Sequence, residues 1–177
     1  ERVASEVETR TLAELPAEDA TLSAYDVLWW HCEEPPAPDA ISETHAAAIQ
    51  SYLADGGGLI LSAHALTTVS ALGIDPIAPD AVGADEPEHP TGYLPKALHR
   101  EHPVFEGLHD RHVSVAGPGR VLPYARYEGV LPENGDVLAS AHYGADEDYR
   151  GKVLIEWRVG AGAVLGFGGP FCPADDA

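Results

Sequence analysis

The stretch GGGLILSAHALTTVSALGID, residues 56–75, reads as a glycine turn, a short apolar strand, a sharp corner and a helix. In an α/β enzyme such a corner presents a nucleophile, and a nucleophile needs an adjacent base. Here the corner carries Ala63, His64 and Ala65. His64 has three readings there: a structural imidazole donating to a backbone carbonyl, a general base, or a metal ligand. As a base it would be assisted by Glu33 or His142.

Further polar groups follow the other apolar runs. His31, Cys32 and Glu33 close YDVLWWH, His142 and Tyr143 follow DVLASA, and Gly168, Gly169 and Phe171 follow AVLGF. Open α/β sheets bind ligands beyond the carboxyl ends of their strands, so these groups are the candidate lining of a cleft. The bland reading stands beside it: strand-end loops are polar in any protein, and nine histidines in 177 residues place several there by chance.

Other chemistries lack their spacing. HREH, residues 99–102, does not have the two-residue spacer of a zinc helix, and Pro103 interrupts any helix there. No metal site and no cofactor is expected. GAGAVLGFGGP opens no helix that could cradle a phosphate. Cys32 follows His31 on an extended chain, where successive side chains point to opposite faces, so an inert thiol is the simpler reading. A disulfide between Cys32 and Cys172 needs a Cα separation that sequence does not define. Trp29 and Trp30 could stack on a sugar, but in a strand covered on both faces they pack under helices.

The elements that must position these groups alternate in the first half. SEVETRTL (5–12) has a short period-2 pattern, and YDVLWWH (25–31) is a continuous apolar run. SETHAAAIQSYLADGGG has a cap at Ser42, then Ala48, Ile49, Tyr52 and Leu53 on one face before Gly56. LILS (59–62) is a second strand, and Leu66, Val69 and Leu72 follow at helical spacing. Two strands joined through such a helix are parallel neighbours. After the proline-rich stretch 76–103, HVSVAG, RYEGVLP, DVLASAHY, GKVLIEWRVG and AVLGFGG are strand-like, and the last two form an antiparallel hairpin around residues 159–162.

Length and composition set the bounds. A chain of 177 residues, 45% hydrophobic, forms one domain with a sizeable core. Against 29 Asp and Glu stand 10 Lys and Arg, a net charge of −19, which leaves no cationic surplus for nucleic acid. Such a surface suits concentrated salt, where charge is screened over about 3 Å at 1 M. No stretch approaches the roughly 18 apolar residues of a membrane span. Two cysteines make no disulfide framework, so the expected location is a reducing, high-salt cytoplasm. The start at Glu1, the lack of methionine and the end at CPADDA read as an interior piece, residues 1–177, of a longer polypeptide.

The order YDVLWWH, a helix, YLADGGGLILSAHA, HPVFEGL and KVLIEWRVGAGAVLGFGG resembles the class I glutamine amidotransferase-like superfamily, in particular its ThuA-like, trehalose-utilisation branch. More narrowly, DVLWWH, LGIDPIAPDAVG and YARYEGVLPENGDVLA are similar to the domain preceding the fructan-hydrolysing glycoside hydrolase 32 (levanase or fructosidase-like) domain in proteins of halophilic archaea. The resemblance implies a flavodoxin-like three-layer α/β fold with a mainly parallel sheet and an antiparallel C-terminal hairpin. Where catalytic relatives hold a cysteine at the elbow, alignment places His64, so thioester chemistry is lost. It implies an accessory domain with an adjoining catalytic domain and a carbohydrate ligand; the competing readings are a stand-alone carbohydrate hydrolase or isomerase and a small-molecule sensor.

Overall fold

The computed structural model describes residues 6–11, 14, 22–82, 91–106, 113–114, 125–143 and 151–169. Strand β1 (Val27–Cys32) is the apolar run around Trp29 and Trp30. Helix α1 (Glu43–Ala54) begins where the Ser42 side chain accepts a hydrogen bond from the His45 N–H at 3.2 Å, with Glu43 in its first turn. Both features suit the positive end of a helix. Ala48, Ile49, Tyr52 and Leu53 are its buried face, as the spacing predicts. Asp55 closes the helix and Gly56 turns the chain at φ 104°, a conformation that side chains disfavour. β2 (Gly58–Ala63) then runs parallel to β1, with Trp30 opposite Leu61 and His31 opposite Ser62.

The helix expected after β2 is replaced by a 3-10 turn, His64–Thr68, and further turns as far as Gly73. Leu66, Val69 and Leu72 are all buried. Their spacing of three fits the 3.0 residues per turn of a 3-10 segment. The hydroxyls of Thr67 and Thr68 donate to the carbonyls of His64 and Ala65 at 2.8 and 2.7 Å, competing for acceptors that an α-helix would use.

The remaining strands are β3 (Asp80–Ala81), β4 (Thr91–Pro95), β5 (Val113–Ser114), β6 (Ala125–Arg126), β7 (Asp136–Tyr143), β8 (Lys152–Val159) and β9 (Gly162–Phe167). The main sheet has the order β1-β2-β9-β8-β7-β4-β5, and β3 pairs separately with β6. β9 is parallel to β2, while β9–β8, β8–β7, β7–β4 and β4–β5 are antiparallel. The architecture is mixed α/β and fits a flavodoxin-like fold. Its antiparallel part extends beyond the terminal hairpin that the sequence predicts. Short connections explain this: Gly160 and Ala161 alone join β8 to β9, whereas a parallel partner needs a crossover of a dozen or more residues. β4 lies inside the proline-rich stretch, and residues 6–11, expected in a strand, form none. There Glu8 pairs with Arg10 at 2.6 Å and bonds the Tyr25 hydroxyl, and all six residues are exposed.

Alternation along the strands divides the core between the two faces of the sheet. On one face Leu59, Leu61, Ile155, Trp157 and Val164 pack with α1 and with Leu66, Val69 and Leu72. On the other, Leu138, Ala139 and Leu154 pack with Phe105 of the 3-10 turn Pro103–Phe105. His102 starts that turn by accepting the Val104 N–H at Nδ1, 3.2 Å. Trp30 packs against the first core as expected, whereas Trp29 is 60% exposed. Among the described residues, α1 covers the first face and the Pro103–Phe105 turn sits over β7–β9 on the second.

Candidate functional site

β1, β2, β7 and β9 all run the same way, so their carboxyl ends share one edge of the sheet. At the end of β2 the chain reverses within a single residue. Ala63 takes φ 55° and ψ −129°, the one non-glycine residue with positive φ among those described. A corner between a strand and a 3-10 turn in so sparsely populated a conformation has the backbone form of a nucleophile elbow. The apex is therefore Ala63, and His64, which the sequence places there, is the residue after it. The cause lies in the backbone: the strand stays paired with β9 through Ser62 and the 3-10 turn starts at His64, so Ala63 absorbs the whole reversal. Its side chain is a buried methyl.

His64 is 5% exposed, with Nδ1 2.8 Å from the carbonyl oxygen of Glu33. A carbonyl only accepts, so Nδ1 carries the proton in this bond. Glu33 thus meets His64 through its backbone, and its side chain is exposed. This contact ties the loop after β1 to the elbow after β2.

Ser62, which carries no signal in the sequence, holds two more of the candidate residues' neighbourhood together. Its Oγ lies 2.8 Å from Nε1 of Trp29, which donates to it, and 2.8 Å from Nδ1 of His31. A serine and a histidine at this distance have the composition of a nucleophile and its base. Ser62 is 0% exposed, so the hydroxyl is out of reach of a substrate and serves to fix two rings. Cys32 lies opposite Ala63 on the neighbouring strand, half-buried. Burial pushes its thiol above the usual range, which keeps it protonated and a weak nucleophile.

The other expected residues stand apart. Gly168 and Gly169 are buried behind β9. The Gly168 N–H donates to Val153 O at 2.8 Å and its carbonyl accepts from the Ala125 N–H at 3.1 Å. A β-carbon on Gly168 would stand 1.8 Å from the Ala125 carbonyl oxygen, so this glycine serves close packing of β6 against β9. The backbones of His142 and Tyr143 pair with Gly92 and Thr91. β7 is three strands from β2, roughly 14 Å in a sheet, so the His142 backbone is not beside His64. Phe171 and Cys172 lie outside the described residues. Among the described residues no group of three or more metal-ligating side chains converges, and no helix is long and apolar enough to cross a membrane.

No family model matches the sequence, and no curated protein matches it. Solved structures do. Cytoplasmic Protein STM3548 from Salmonella typhimurium superposes with a TM-score of 0.57 at 15% identity, over 89% of this chain and 65% of that one. A ThuA-like protein from Bacteroides uniformis gives 0.56 at 15% identity, over 90% and 66%. A β-galactosidase from Rahnella sp. R3 gives 0.53 at 11% identity, over 84% of this chain and 20% of that chain. The chain thus spans slightly less than two thirds of the first two and a fifth of the third. At these identities the likeness is one of fold, and the fold is that of the ThuA-like proteins.

Proposed function

We propose that this domain, a flavodoxin-like three-layer unit, is a catalytically degenerate amidotransferase-like module that serves a carbohydrate-active protein, with a glycoside hydrolase of the levanase or fructosidase kind adjoining it in the same polypeptide. The observation that carries the reading is Ala63: the strained corner suited to a nucleophile holds a methyl group. Acyl transfer through a covalent intermediate has no atom to start from there. The bond from His64 to the Glu33 carbonyl supports a structural role for the imidazole. The likeness to a fifth of a β-galactosidase supports the accessory role, since a unit of this fold is built into a longer carbohydrate-cleaving chain. The acidic excess, 29 against 10, supports work in a high-salt cytoplasm.

The test offers the protein L-glutamine and a panel of aryl glycosides in molar KCl, and separately passes it over immobilised polysaccharides. No turnover and retention on a polysaccharide are expected. Turnover that His64→Ala abolishes would replace this reading with that of a hydrolase or isomerase using His64 as base.

A further inference from the structure

We propose that His102 is a proton-operated latch: the neutral imidazole clamps the Pro103–Phe105 turn shut over the second core, and protonation releases that turn while the ring stays on β8. The latch lies on the second face of the sheet and is independent of any carbohydrate role.

The turn depends on one side chain. Pro103 carries no N–H, so the first backbone donor is that of Val104, and its acceptor is Nδ1 of His102 at 3.2 Å. The later donors are closed by carbonyls: the Phe105 N–H meets His102 O at 2.9 Å and the Glu106 N–H meets Pro103 O at 3.0 Å. A ring nitrogen that accepts carries no proton, which leaves the proton of the neutral ring at Nε2. Nε2 lies on the β8 side, 3.5 Å from Oε1 of Glu156. That is long for a hydrogen bond but within ion-pair range once the ring is charged. The same ring packs edge-on with Phe105, the centroids 6.4 Å apart and the planes at 69°. Phe105 and Val104 in turn cover Leu138, Ala139 and Leu154.

Protonation makes both ring nitrogens donors, and histidine is the side chain that makes this change between about pH 5 and 8. At Nδ1 two N–H groups then face each other, and the Val104 N–H loses its acceptor. At Nε2 the contact with Glu156 becomes an ion pair. The ring is thus drawn to the strand and let go by the turn. Charges on the packed elements favour this exchange. Only 18% of the Glu156 side chain is exposed; Arg158 shares its Oε1 at 3.1 Å but is 70% exposed, so solvent weakens that pair. Asp136 stands opposite Glu156 on β7 and adds a second carboxylate. Lys152, on the same face of β8, is four residues from Glu156, roughly 13 Å. β9 carries no charged residue. On the segment of His102 itself, Lys96, Arg100, Glu101 and Glu106 are exposed, and half-buried His99 accepts the His102 N–H at its carbonyl.

Amide hydrogen exchange followed by NMR, with each rate divided by that of an unstructured chain at the same pH, reads the latch between about pH 8 and pH 5. Protection of the Val104 and Phe105 amides should fall about tenfold over that range, the loss of one capping acceptor, while amides of β8 and β9 keep theirs. His102→Asn, whose side-chain oxygen accepts the Val104 N–H but does not titrate, should hold the protection constant. His102→Ala should be weakly protected at every pH. Glu156→Gln lacks the charge that draws the imidazolium and should move the loss to lower pH. Retained protection in β8 and β9 shows in the same spectra that each variant is folded. Val104 protection that is flat with pH in the wild type would overturn the proposal, as would the same pH dependence in His102→Asn or a transition that Glu156→Gln leaves in place.

Discussion

The indole N–H of Trp157 donates to Oδ2 of Asp75 at 2.9 Å, joining the last long strand to the turn after the elbow. Asp75 also accepts from the backbone N–H groups of Ile77 and Asn134 at 2.9 Å and of Glu133 at 3.1 Å, and it is almost wholly buried. Burial alone would push its carboxyl up. The donors of Asn134, Ile77, Trp157 and Glu133 outweigh that and hold it below the usual carboxylate range.

Since the folded-state pKa is depressed, Asp75 contributes stability that is fully present above the unfolded value of about 3.9 and is lost as pH falls through the folded value. Asp75→Asn should cost about 2–4 kcal/mol at neutral pH, because an amide nitrogen would face N–H donors. Urea midpoints measured from pH 7 to pH 2 should show a shallower acid limb in the variant. An unchanged acid limb would remove Asp75 from the acid response.

Gly168→Ala should destabilise the fold by about 1–3 kcal/mol, as overpacking does where the neighbour cannot yield. The neighbour is the backbone of Ala125, fixed by its own N–H bond to the Gly168 carbonyl. Thermal melts of the variant and wild type decide it, and equal midpoints would mean that β6 can move away at no cost.

Ala63→Gly and Ala65→Gly should differ in effect although both remove a buried methyl. At Ala63 the loss of about 0.8 kcal/mol of burial and 0.5–1 kcal/mol of glycine entropy is set against roughly 1–3 kcal/mol of relieved backbone strain. Ala63→Gly should therefore be near neutral or stabilising, and Ala65→Gly destabilising by about 1–2 kcal/mol. Matching losses in chemical denaturation would show that the elbow is unstrained.

Raising KCl from 0.1 M to about 2 M should raise the melting temperature, because shortening the screening length from about 10 Å to less than 3 Å weakens repulsion among the excess carboxylates. The charge imbalance behind this is 29 acidic against 10 basic residues. A melting temperature that is flat with salt would mean that local pairing already neutralises the surface.

Periodicity and capping made α1, β1, β2 and β7 to β9 legible, since Ser42, the 48/49/52/53 stripe and the apolar runs carry their meaning locally. β4 was not, because Pro90 precedes it, Pro95 is its last residue, and its partners come from β7 and β5. The 3-10 turn after β2 was misread as a helix because a spacing of three fits both periods. At the candidate site, the pairing of β1 with β2 brought His31, Glu33 and His64 to one edge as the sequence implies. The apex itself was misplaced by one residue, because strain resides in the dihedral angles and alanine gives no sign of it. Ser62 and Asp75 were invisible for another reason: the partners of Ser62 lie 31 to 33 positions away, and those of Asp75 other than Ile77 lie 58 to 82 positions away.

The methyl of Ala63 has no surface open to solvent, so the corner is closed as well as empty. A single change to cysteine would bury a thiol there and raise its pKa, making it a poor attacking group. Reactivity at that corner would therefore take two separate changes, a new side chain and an opening above it, because either alone leaves no exposed nucleophile.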